Sequence, residues 1–396
     1  VTGVKPALRI VVALCFAGAL VGAAVMTASG SRLVGHSSSH SYPPDRANFE
    51  RPKVHGHSPL AAWRDTVRGG ASAGSLASLA RLLPRNTIRR LGAEQWLLTA
   101  PVDILGGARV ALSGGTLELA PGAFLQARSG GKLALRGMTV LGVGTDGRPL
   151  EQPVASRAFL VGRDGGQLVL EHDQIRDLGH LGVYSYGIAL HRPLAGSRVT
   201  GCTVDRNYFG IYMSHANGVL IADNRVSHSA VYGIDPYGYS HRVTIKSNVV
   251  SASGLHGIVL ADGVSASRVV ANTVNGAGGH GIVLYRGSHG NLISSNVVQG
   301  SFDGIVLTGA PQNTVEQNKV GPVVRFGLRL SGASNENLVT RNTVSHSMLG
   351  AYLYGGASRN RLLGNVFRTN RENVRVRSDA PHNLVWPRPP DSEGLH

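Results

Sequence analysis

Between residues 187 and 367 short apolar runs recur, each opened by glycine and followed fourteen or fifteen residues later by asparagine or, after the first run, by Cys202. The runs read Gly187-Ile188-Ala189-Leu190, Gly210-Ile211-Tyr212-Met213, Gly257-Ile258-Val259-Leu260, Gly281-Ile282-Val283-Leu284, Gly304-Ile305-Val306-Leu307, Gly327-Leu328-Arg329-Leu330 and Gly350-Ala351-Tyr352-Leu353, spaced by 23 or 24 where consecutive. The second mark, Asn-x-Val or Asn-x-Phe, falls at Asn224, Asn248, Asn272, Asn296, Asn318, Asn342 and Asn365, and Cys202 holds that slot one coil earlier. A fixed period in the twenties predicts a solenoid whose units bury their apolar face only by stacking. The alternating runs are too short for helices and suit strands. In a parallel stack each buried Asn meets its counterpart in the next coil and bonds backbone as well. The pattern predicts an all-β chain, a right-handed parallel β-helix with an Asn ladder, the hand following from the bias of parallel crossovers. The Leu-x-x-Leu-x-Leu phrase of a leucine-rich horseshoe is absent.

One copy breaks the rule. Between Asn224 and Asn248 the strand reads Tyr232-Gly233-Ile234-Asp235-Pro236-Tyr237-Gly238, with Asp235 in the slot of Val259 and Pro236 in that of Leu260. Proline removes a ladder donor from an interior strand, and such local violations mark candidate functional sites. The regular coils are expected over 95–375. Residues 74–94, where Leu76, Leu79, Leu82 and Leu83 recur among arginines, are expected to form an amphipathic helix capping the first coil, with 31–73 a His/Ser/Pro-rich linker and 376–396 a tail. Asp173-Gln174-Ile175 takes the Asn slot 29 residues before Cys202, which predicts an insertion of about five residues at 180–184.

Composition alters the picture at two points. Lys5 and Arg9 precede an uncharged apolar stretch over 10–28, so 1–30 reads as a signal peptide or membrane anchor and the body as extracellular or cell-surface, meeting a membrane only through that segment. Cys15 lies inside that stretch, which leaves Cys202 alone in the body and no disulfide framework. The net charge of +16 favours an anionic partner. Scattered basic residues without a recognition motif argue against nucleic acid, and an acidic polysaccharide suits both the charge and a long sheet face. No cofactor is expected, and the irregular histidines of 36–57 do not have metal-site spacing.

Stacking in register gathers polar residues after the Gly-led strands: His191 and Arg192, Ser214 and His215, Tyr237 and Gly238, Ala261 and Asp262, Tyr285 and Arg286. Before the glycines stand Tyr232, His256 and His280. Three phrases here, Leu178-Gly179-His180 leading to Tyr186-Gly187-Ile188, then Val231-Tyr232-Gly233-Ile234-Asp235-Pro236, then His256-Gly257-Ile258, resemble the mannuronan C5-epimerases of alginate biosynthesis, which are right-handed β-helices. The resemblance covers roughly 159–258 and implies proton abstraction and return at C5 of a uronate polymer. It departs after Pro236, where the family's His and acidic residue are Tyr237 and Gly238, and an arginine of the family falls on Asp262, with Arg286 the nearest substitute. Such chemistry needs a base, a proton source and a cation or donor for the enolate-like carboxylate. Tyr232, Asp235, Tyr237 and His256 are the expected catalytic set. Tyr232 and His256 would move protons and Asp235 would orient His256 or Tyr237; Arg192, His215, His280, Tyr285 and Arg286 would bind substrate. A polysaccharide lyase, or a β-helix that only binds a polymer or a partner protein, fits the same residues.

Overall fold

The computed structural model describes residues 64–148 and 156–387. Over them the chain winds as a right-handed parallel β-helix of three sheets, each thirteen strands deep. The first sheet holds the Gly-led strands, such as His256–Leu260; the chain then crosses to a second sheet at Arg268–Val270, turns at the Asn slot, and enters a third at Thr273–Asn275. Among the described residues one pair alone is antiparallel, Ile88–Arg90 with Gln95–Leu98.

The repeated phrase has a steric cause. The side chains of Ile258, Leu260, Val269 and Val274 are fully buried in the interior, each worth about 1.5–3 kcal/mol relative to exposure. The glycine opening each run faces the same interior. A Cβ on Gly257 would stand 2.4 Å from Cγ1 of Val274, and one on Gly281 2.2 Å from Cγ1 of Val298. Glycine and the Val of Asn-x-Val therefore form one device: the valine fills the space that a side chain on the glycine would need.

Asn272 shows the ladder at work. Its Oδ1 accepts from the N–H and Nδ2 of Asn248, both at 2.9 Å, while its Nδ2 donates to the Ile245 carbonyl and to Asn296 Oδ1. A second ladder, Asn291, Asn313, Asn337, Asn360 and Asn383, runs along another corner with the same bonds. The spacing of those asparagines, 22 to 24 residues, is as regular as that of the first set.

The stack extends beyond 95–375 at both ends. Asp65–Val67 pairs with Val102–Ile104, and Ser72–Ala73 with Arg109–Ser113, inside the stretch read as linker. Leu384–Trp386 pairs with Arg361–Leu363, inside the stretch read as tail. The helix is Leu76–Leu82, opened by a Ser75 capping box and burying Leu76 and Leu79. It is shorter than 74–94 because Leu83 is extended ahead of Pro84, where proline disfavours the helical conformation of its predecessor. The segments 1–30 and 31–63 lie outside the described residues. Among the described residues no helix is long and apolar enough to cross a membrane.

Candidate functional site

Since the glycine and the following Ile both face inward, the residue before the glycine turns outward, and stacking aligns these residues in a row. Tyr232 is in register with His256, and His280 with Asp303. The His256 ring lies parallel to Tyr232, with centroids 5.4 Å apart and planes 3° apart, and to His280, at 4.7 Å and 10°. These separations are close to the strand spacing of about 4.8 Å, so the coils themselves set the stack. All four residues are buried. Tyr232 also packs with Phe209, Tyr212 and Val259 in an apolar cluster apart from the interior core.

The row is polar at one end. Nδ1 of His256 accepts the backbone N–H of His280 at 3.0 Å, and its Nε2 meets no hydrogen-bond partner among the described residues. Burial, then the neighbouring His280 ring and the Arg329 guanidinium, pull the His256 pKa well below the usual histidine value, against smaller opposite pulls from Asp303 and the Leu255 carbonyl. Burial, then Arg329 and Arg325, do the same to His280. Both rings are thus neutral near pH 7. Asp303, fully buried, receives two bonds from Arg325 at 3.0 and 2.8 Å; Arg329 Nη1 and His280 Nδ1 each stand 3.3 Å from its Oδ2.

Sequence reasoning missed Asp303, Arg325 and Arg329, though two signals pointed to them. Asp303 continues the row before the glycines one coil past His280, and Arg329 breaks the apolar slot of Val259 just as Asp235 does.

Asp235 faces outward opposite Tyr212 and is fully buried. It does not orient His256, whose Nδ1 is taken by backbone and whose Nε2 has no acceptor among the described residues. Around it the strand keeps register at Ile234 with Ile258 and at Tyr237 with Ala261. Between them pairing lapses at Pro236, which has no N–H to give. Tyr237 is half-buried, with its ring 6.4 Å from that of Tyr212; Tyr285 reaches back to within 6.0 Å of the His256 ring.

Arg192, His215 and Arg286 lie apart from the row, at the corner where the chain leaves the first sheet. They share one backbone slot. Asp164, Arg192, His215, Gly238, Asp262 and Arg286 all take left-handed φ values of 44 to 59° there, and the slot becomes glycine at Gly309, Gly332 and Gly355. Side chains at such positions cost about 1–2 kcal/mol each. His215 is exposed, its Nδ1 2.9 Å from Ser214 Oγ and its ring 5.4 Å from that of His191. Burial pushes the His191 pKa down to about 4. Arg286 Nη1 stands 3.7 Å from Asp262, and its side chain is more than half exposed. The Arg192 guanidinium has no ion pair among the described residues.

Residues 154–298 match the family model described as right handed beta helix region, and 265–393 that described as periplasmic copper-binding protein (NosD). Among the described residues no three His, Cys, Asp or Glu side chains are grouped to hold a metal ion. That arrangement does not fit a copper centre. The chain is 28% identical to mannuronan C5-epimerase AlgG of Azotobacter vinelandii over 42% of its length, and 27% identical to mannuronan C5-epimerase of Pseudomonas aeruginosa over 43%. The matches span 35% and 34% of those relatives' own lengths, about a third. In fold, the crystal structure of the periplasmic alginate epimerase AlgG superposes with a TM-score of 0.73 at 18% identity, covering 81% of this chain and 84% of that one. The A-module of Azotobacter vinelandii mannuronan C-5 epimerase AlgE4 gives 0.56 at 15% identity, covering 72% and 90%.

Proposed function

We propose that this right-handed parallel β-helix, similar in sequence and fold to mannuronan C5-epimerases, is an exported protein that abstracts and returns the C5 proton of a uronate polymer. The observation that carries the reading is the parallel stack of Tyr232, His256 and His280 on the outer face of the first sheet. It supplies a hydroxyl and two neutral imidazoles at coil spacing, with the positive charge of Arg329 alongside. Removing a proton next to a carboxylate requires a neutral base and a donor or cation for the oxygen that gains charge. Arg192 and His215, exposed at the corner of the same sheet, are the substrate-binding side chains of this reading, and the overall charge of +16 draws an acidic polymer. Tyr232 and His256 are the proton-handling residues of this reading, and Asp235 lies on the irregular strand that carries Tyr232.

A lyase is the second reading, favoured by one feature. The three rings share one row, hence one side of a sugar laid along it. Elimination that takes the C5 proton and protonates the leaving O4 on that side needs no group opposite.

The test is incubation with uronate polymers in heavy water. Deuterium at C5 with inverted configuration is the expected result; absorbance from unsaturated ends would assign the lyase, and polymer retention with neither change would leave a binding protein.

A further inference from the structure

Where the chain leaves the first sheet, several coils place two consecutive residues in the left-handed region. Asp164-Gly165, Asp262-Gly263 and Arg286-Gly287 fill the pair in one order, a side chain at φ 45 to 59° and then glycine at φ 75 to 78°. The coil of Asp235 inverts that order. Gly238 stands first, at φ 52°, and Tyr239 second, at φ 55°, two residues past the Tyr237 to Ala261 bridge and so level with Gly263. A tyrosine is strained in that conformation and glycine is not. Packing does not offset the strain: Tyr239 is 71% exposed, the most exposed large apolar or aromatic side chain among the described residues. Strain held at an exposed aromatic points to a function for the ring.

The surroundings of the ring are cleared for it. A Cβ on Gly263 would stand 2.8 Å from Cδ1 of Tyr239 and 3.0 Å from its Cε1, and one on Gly238 would stand 3.3 Å from Cε1 of His215. The two glycines thus leave room for two rings, 6.0 Å apart, at the surface of the corner. Arg192 lies two coils before Tyr239 and Arg286 two coils after it, about 10 Å along the axis in either direction. Both arginines are exposed, and the charge of the intervening Asp262 is offset by Arg286 at 3.7 Å. The result is an aromatic plate between two cations.

We propose that Tyr239 is a sugar-stacking platform, on which one pyranose of an acidic polysaccharide lays its C–H face while carboxylates of sugars to either side meet Arg192 and Arg286. An aromatic face is electron-rich and attracts C–H groups, and a guanidinium matches a carboxylate in charge and shape. The platform deepens the reading of this sheet as a uronate-polymer site and rests on it for the nature of the sugar. Tyr239 binds and orients the polymer and takes no part in proton transfer.

The test is calorimetric titration of full-length protein with a purified mannuronate oligomer and with a neutral mannan oligomer of the same linkage. Thermal midpoints and deuterium wash-in at C5 are recorded on the same preparations. Tyr239→Gly removes the ring and restores the residue that the backbone favours. It is expected to raise Kd for mannuronate about tenfold, with a midpoint at or above that of the wild type. Tyr239→Phe keeps the ring and is expected to bind within about threefold of the wild type. Arg192→Gln is expected to narrow the preference for mannuronate over mannan. Unchanged binding by Tyr239→Gly overturns the platform, and so does weakened binding with a lowered midpoint, which would assign the tyrosine to the fold. Tyr239→Phe as weak as Tyr239→Gly would move the contact to the hydroxyl and overturn stacking. Equal wild-type affinity for mannan and mannuronate overturns the part given to the arginines. Wash-in separates this proposal from the functional reading. A wild type that binds mannuronate through Tyr239 but exchanges no C5 hydrogen keeps the platform and sinks the enzymatic reading; one that exchanges C5 hydrogen and is indifferent to Tyr239→Gly does the reverse. A wild type that binds no mannuronate overturns both.

Discussion

The Asn corner and the outer face of the first sheet are built from the same coils, at the same spacing, to opposite ends. Along the corner, Asn224, Asn248, Asn272, Asn296, Asn318 and Asn342 repeat one set of bonds with hardly a change in length. Along the face, the equivalent residues run Tyr232, His256, His280, Asp303, Phe326 and Leu349. A row that only has to hold coils together converges on one answer, because every coil poses the same problem. A row that changes chemistry at each coil is not needed for stacking. Its polar members, buried at a cost, are the ones to be explained by function.

Breaking the uniform row should therefore cost stability and be indifferent to what the face does. Asn272→Ala removes the acceptor shared by the Asn248 N–H and Nδ2 in the interior, at about 1–3 kcal/mol per buried group. We expect about 4 kcal/mol in all, read as a lower denaturant midpoint. Gly257→Ala drives a methyl into Val274 and the Gly281 carbonyl, and should cost about 3 kcal/mol. Val274→Ala in the same chain should return part of that loss, since the valine methyl is one of the two obstacles; a double variant no better than the single one would mean that the glycine is not there for the valine.

Acid should act through the face. His191 is buried with a folded pKa near 4 against an ordinary value of 6.5. Its contribution to stability is present above pH 6.5 and is lost as pH falls toward 4, because the unfolded chain binds a proton that the folded ring refuses. This one group accounts for up to about 3 kcal/mol. His191→Gln should reduce by about one the protons taken up on unfolding at pH 5, measured from the pH dependence of the midpoint. The smallest effect is expected at the corner beyond the face. Arg286→Gly relieves a left-handed backbone at φ 48° and should stabilise by about 0.5 kcal/mol, after the entropy of glycine is subtracted. It should also weaken retention on a uronate column by a few-fold. Lost stability together with unchanged retention would show the arginine to be structural.

Much of the fold was legible because the coils repeat. Asn272 and Gly257 recur often enough for their spacing to outweigh any single exception. The ends were not legible: Asp65–Val67 and Leu384–Trp386 join the sheets by backbone pairing, which asks little of side chains once a neighbouring coil offers an edge. The site was legible where it broke a rule in the sequence, at Asp235 and Pro236, and where rings met before a glycine, at Tyr232, His256 and His280. Which atoms face which was not. That Nδ1 of His256 is occupied and that Arg286 is paired with Asp262 depend on how one coil lies on the next, information that periodicity does not hold. Arg329 is masked by its own strand, Gly327-Leu328-Arg329-Leu330, which fits the repeat at its Gly and both leucines and so looks regular.

The central claim is that the face moves protons at C5 and that Tyr232 takes part through its hydroxyl and not only by packing on Phe209 and His256. Tyr232→Phe keeps both ring contacts and removes one oxygen. Measured as deuterium wash-in at C5 of a uronate polymer, beside the thermal midpoint of each protein, the variant is predicted to lose at least about 10²-fold in rate with a midpoint within 2–3 °C of wild type for a shift of about 0.5 kcal/mol. Full wash-in by Tyr232→Phe would contradict that account of the face.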